Sequence, residues 1–148
     1  MQSLGLALII FIYTNIALFT AAGTIYLSQK LFEPDKERYF YAFFLFLIAI
    51  FYLSFILYYG GDMALKNELY AISVFAVLAC IGAFSTTILI VGYVLHGLWD
   101  FVHEFQQPLH SMLSNTDLVS IPLGYGVFCL VFDLIIAVYF YTRRKVWS

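Results

Sequence analysis

Charge is what this chain has least of. Asp, Glu, Lys and Arg make up 11% of its 148 residues, against about 25% in soluble domains. With so few charges there is too little polar surface to clothe a separate soluble domain. The formal net charge is -2 and no basic patch is present, so nucleic acid is not an expected partner. Cysteine occurs twice, at Cys80 and Cys129. Both lie inside apolar stretches with no paired metal or redox spacing, and read as small packing residues.

Apolar residues are what the chain has in excess. They make up 64% of the sequence, and mean hydropathy is +0.93. They fall into runs longer than a soluble core can absorb. The expected fold is an all-α integral membrane protein, a single helical domain over 1–148, with the lipid bilayer as first partner. The N-terminus has no basic leader, and Leu4–Ser28 is longer than the apolar core of a signal peptide, so it reads as a retained span.

Three spans are plain: Leu4–Ser28, Tyr39–Tyr59 and Val119–Thr142. The charged loop "KLFEPDKER" with Pro34 separates the first two, and "GGDMALKNE" makes the next turn. Leu69–Phe105 is long enough to cross once or twice. Lys30, Lys36 and Arg38 mark one loop as cytoplasmic, and Arg143, Arg144 and Lys145 mark the C-terminus likewise. An even number of crossings must lie between them, which favours two in Leu69–Phe105 and a break at "GAFSTT", Gly82–Thr87. Each half then has about 16–18 residues, near 26 Å, against a core of about 30 Å. The expectation is a five-span helical bundle with the N-terminus outside and the C-terminus cytoplasmic. The alternative is four spans with one long projecting helix.

Polar residues cluster in "VGYVLHGLWDFVHEF", Val91 to Phe105. On a helix, His96, Asp100 and His103 follow i, i+4, i+7 and share one face, continued by Gly92, with Glu104 rotated to one side. Imidazole and carboxylate at this spacing suit a divalent metal such as zinc. They equally suit an Asp–His acid–base pair. His96, Asp100 and His103 are therefore the candidate metal ligands, and His96, Asp100 and Asp133 the candidate catalytic set. The bland alternative is the polar end of an interfacial helix, with Trp99 and Phe101 as belt aromatics and His103 and Glu104 among headgroups.

Asp133 lies mid-way along the last span. A carboxylate there costs roughly 2.5–3.5 kcal/mol even on lenient scales and needs a partner or a proton. Five spans put His96 at its depth, so that the two can pair. A long projecting helix puts them about 20 Å apart in depth. Asn15 reads as interhelical glue, Glu68 and Asp62 as outer-interface residues, and His110 as solvated in "QQPLHSMLSNTD". The many tyrosines and phenylalanines read as lipid-facing or packing residues.

The stretch from Gly82 to Asp133 resembles a family of small uncharacterised bacterial membrane proteins. The matching pieces are Gly92–Tyr93, His96-Gly97-Leu98-Trp99-Asp100, His103, Phe128-Cys129 and Asp133. Glu104 stands where that family often has a second histidine. The resemblance implies a bacterial cytoplasmic (inner) membrane and carries no activity with it. Three functions remain open from sequence: an intramembrane His/Asp metal or acid–base site acting on a lipid-soluble substrate, an accessory or assembly subunit of a larger membrane complex, and a homo-oligomeric proton or ion pathway.

Overall fold

The computed structural model describes residues 2–59, 62–106 and 118–147. His110 and the side chain of Asp62 lie outside that description. The described residues form helices and short connections only. The helices are α1 (Gln2–Leu31), α2 (Pro34–Ile50), α3 (Tyr52–Tyr59), α4 (Asp62–Gly82), α5 (Thr86–Glu104) and α6 (Tyr125–Arg143).

Each boundary has a local cause. Pro34 opens α2, where its missing N–H is not needed, and Asp35 and Glu37 lie in the first turn, facing the positive helix end. At Phe51 the amide still bonds the Leu47 and Ile48 carbonyls at 3.1 and 3.3 Å. Thus α2 and α3 form one rod, Pro34–Tyr59, of 26 residues. The long Leu69–Phe105 segment breaks where expected. Ser85 is extended and its hydroxyl accepts from the Ile88 amide at 3.5 Å, capping α5. Arg38 Nε closes the same turn from another helix, donating to the Ala83 carbonyl at 3.0 Å.

Four rods are long and apolar enough to cross a membrane: Leu4–Leu31, Pro34–Tyr59, Ala64–Gly82 and Tyr125–Arg143. α5 is the one further helix among the described residues. It has 19 residues, about 28 Å of rise, but it bears His96, Asp100, His103 and Glu104. Length and apolarity thus give the alternative, four spans and one other helix, α5. It packs against α4 and most extensively against α6, while α1 leans on α6 and α2 on α4.

α5 and α6 run antiparallel and close together, because glycines remove side chains at their contact. A Cβ on Gly97 would come within 3.1 Å of Asp133 Cβ, and one on Gly126 would overlap the Asp100 carbonyl oxygen. Tyr41, Leu45, Leu89, Tyr93, Ile136 and Phe140 fill the centre. The two basic segments meet at one end of the bundle. Arg143 Nη2 reaches Glu37 Oε2 at 3.1 Å, and Arg38 Nη1 donates to the Trp147 carbonyl at 2.5 Å.

Candidate functional site

Three carboxyl and imidazole groups converge where α5 crosses α6. His96 Nδ1 stands 2.9 Å from Asp133 Oδ2 and 3.2 Å from Asp100 Oδ2. The side chains are 0–1% exposed. One ligand atom from each of the three lies within 4.8 Å of the others, the one such group among the described residues. The i, i+4 relation sets His96 beside Asp100, and the close α5–α6 approach brings in Asp133.

Tyr52 of α3 donates its hydroxyl to Asp100 Oδ1 and so orients that carboxylate from behind. Phe75 of α4 packs edge-on against the His96 ring, with centroids 5.0 Å apart. Tyr125 and Cys129 of α6 lie close to Asp100. Two oxygens, Asp100 Oδ2 and Asp133 Oδ1, and His96 Nε2 have no hydrogen-bond partner of good geometry among the described residues. The Ile48 carbonyl is the backbone group beside His96.

His103 shares the helix face but not the group. Its Nδ1 donates to the Trp99 carbonyl at 2.9 Å, and its Nε2 meets Glu68 Oε1 at 2.7 Å. Trp99 Nε1 donates to Glu68 Oε2 at 3.3 Å and the Val119 amide to Oε1 at 3.4 Å. Glu68, read from sequence as an interface residue, is fully buried in the molecule. Glu104 serves the backbone instead. Its two oxygens accept from the Gly124 and Gly126 amides at 2.8 and 3.0 Å. That satisfies free N–H groups at the start of α6 and places a negative charge at the positive helix end.

A second buried carboxylate, Glu37, was hidden among the loop charges of "KLFEPDKER". Its oxygens accept from Ser28 at 2.8 Å, Tyr139 at 2.5 Å, Arg143 at 3.1 Å and Trp147 at 3.2 Å. Both oxygens are fully engaged, so Glu37 ties α1, α2 and α6 together rather than offering a site. The Asn15 side-chain amide donates to Phe11 O of its own helix at 2.7 Å.

Between the two polar groups runs a narrow crevice with no room for a water molecule. Glu68, Tyr52, Trp99, His96 and Phe75 all line it. No curated protein and no solved structure matches the chain. A family model matches residues 12–145, and the chain belongs to that family of unknown function, DUF6010.

Proposed function

We propose that this protein holds a divalent cation such as zinc inside the membrane, with His96, Asp100 and Asp133 as its ligands. The observation that carries the reading is the convergence of one imidazole nitrogen on two carboxylate oxygens at 2.9 and 3.2 Å, fully enclosed. Tetrahedral zinc with bonds near 2.0–2.2 Å sets its ligand atoms about 3.3 Å apart. The two His96–Asp spacings are close to that, and the group as a whole, within 4.8 Å, must draw in to reach it.

Charge favours the same reading. A neutral histidine and two ionised aspartates sum to two negative charges, and such a group in hydrocarbon must be neutralised. One divalent cation does so in a single step; the alternative is two protons. Direct chemistry on a lipid-soluble substrate has less support, because the crevice beside His96 does not admit even water.

The basic residues support five crossings with the N-terminus outside, and the resemblance to small bacterial membrane proteins supports a bacterial cytoplasmic membrane. Four rods separate Arg38 from Arg143, and those two residues lie at one end of the bundle. Lipid covers the apolar exterior, or a second copy or membrane partner does so.

The test is elemental analysis of protein purified in detergent without chelator, followed by reloading of stripped protein with Co²⁺ and absorption spectroscopy. Stoichiometric metal that is lost in both His96→Ala and Asp133→Asn supports the site. Wild-type protein that carries no metal and shows no Co²⁺ ligand-field bands sinks it.

A further inference from the structure

A buried site needs an entrance, and a second pair of ligand-type side chains stands on the way to one end of the bundle. Glu68 and His103 come from α4 and α5 and are 0–1% exposed. The His103 Nδ1 hydrogen bond to the Trp99 carbonyl fixes the ring, so that Nε2 is the nitrogen presented to Glu68. A histidine held by its far nitrogen on a backbone carbonyl is how metal-binding imidazoles are oriented. With the Nδ1 proton committed, the 2.7 Å contact between Nε2 and Oε1 must enclose one further positive charge, a proton or a cation.

The pair faces two ways. His103 and Glu104 line a surface cleft with Gln106, Ser120, Ile121 and Leu123, at the end where α5 finishes and α6 begins. On its inner side, Glu68 borders the same narrow crevice as His96. Tyr52 bridges the two groups. Its ring centroid is 4.8 Å from that of His103, and its hydroxyl donates to Asp100. The crevice admits no water as it stands, so passage along it requires Tyr52 or Trp99 to rotate.

We propose that Glu68 and His103 form an entry station through which a divalent cation passes from the α5–α6 cleft to the central site. The station rests on the reading of His96, Asp100 and Asp133 as a cation site. Its own contribution is rate, not final occupancy. A cation arriving in the cleft takes the place of the proton between His103 and Glu68, and that proton leaves to water in the cleft. It then transfers across the crevice to His96 and Asp100, whose two carboxylates with Asp133 hold it more tightly than one carboxylate can.

Chelator-stripped full-length protein in detergent, mixed with Co²⁺, reports loading through the growth of its ligand-field absorption. Glu68→Gln and His103→Gln are expected to reach wild-type amplitude about tenfold more slowly, equivalent to about 1.4 kcal/mol on the loading barrier. Tyr52→Phe keeps the ring and loses only the hydroxyl, so it tests the bridge where the other variants fold poorly; slowed loading is expected there too. Loading at the wild-type rate in Glu68→Gln and Tyr52→Phe overturns the station while leaving the central site intact. Slowed loading confined to Glu37→Gln, at the opposite end, also overturns it. Wild-type protein that takes up no Co²⁺ removes both the site and its entrance.

Discussion

His96 on α5 and Asp133 on α6 meet at 2.9 Å, Nδ1 to Oδ2, across the most extensive helix contact among the described residues. The same antiparallel register sets Glu104 against the start of α6 and Tyr93 against Phe140 near its end. The pair is therefore a consequence of how two whole helices fit. It also resolves the desolvation problem that each residue has alone.

That contact predicts energetic coupling. Polar contacts between membrane helices average about 0.6 kcal/mol and reach about 1.7. His96–Asp133 belongs at the upper end, because both partners are enclosed and ionisable. A double-mutant cycle with His96→Ala and Asp133→Ala, read by thermal unfolding in detergent, is expected to give an interaction energy above about 1 kcal/mol. A value within about 0.5 kcal/mol of zero, the range of independent sites, would show that the two side chains do not act on each other.

Asp133 separates charge from hydrogen bonding. Asp133→Asn keeps an acceptor near His96 and removes the negative charge. Asp133→Leu removes both and leaves His96 facing an apolar group. Stability is expected to fall little in the first variant and by about 1–3 kcal/mol in the second, the cost of an unsatisfied buried polar group. Metal is expected to be lost in both. Retained metal in a folded Asn variant would exclude Asp133 from the ligand set.

How far the sequence reveals this depends on contrast. His96, Asp100 and Asp133 stand out because charge is so rare around them, and the balance of basic residues locates the Gly82–Thr87 break. The i, i+4, i+7 pattern places His103 on the face of His96 and Asp100, but it cannot tell which neighbouring helix meets each turn. At Asp100 that neighbour offers Tyr52 and at His103 it offers Glu68. Tyr52 is one of twelve tyrosines and has no signal of its own. Glu68 and Glu37 each lie among ordinary loop charges. Their burial is decided by tertiary packing, which no local pattern records.

Gly126 sits where α6 begins beside Asp100. A Cβ there would overlap the Asp100 carbonyl oxygen and lie 2.6 Å from Glu104 Cβ. One of those atoms is helix backbone, so α5 and α6 must separate. Gly126→Ala is expected to destabilise the protein by about 1–3 kcal/mol, as overpacking does. It should also weaken metal binding at His96–Asp133, whereas Gly23→Ala, with open space around it, should do neither. Wild-type thermal stability in Gly126→Ala would mean that the helices do not approach this closely.

Glu37 anchors the opposite end. Four donors from α1, α6 and the residue Trp147 converge on it. Replacing it by Leu strands those donors together with the buried part of Arg143. Breaking such a buried ion pair costs about 3–5 kcal/mol, and the 26% exposure of the Arg143 side chain discounts that toward about 2 kcal/mol. Glu37→Gln keeps acceptors and should lose less. Equal stability of Glu37→Leu and wild type in a detergent melt would argue that this end is open to water.

The placement of α5 bears directly on the topology. It carries the polar face, and four other rods already have the length and apolarity to span. Yet it is capped at Ser85 near the basic end and finishes at Glu104 against the start of α6, so it runs alongside α6 from one end to the other. Counting α5, the proposed topology crosses five times and puts the two ends on opposite faces. Single cysteines at Ser3→Cys and Ser148→Cys, in a background with Cys80 and Cys129 replaced, read this directly. An impermeant thiol reagent on intact cells should label position 3 and should reach position 148 only after permeabilisation. Labelling of both positions from one side would mean that α5 does not cross, and that the bundle end bearing Glu104 does not lie at the outer surface.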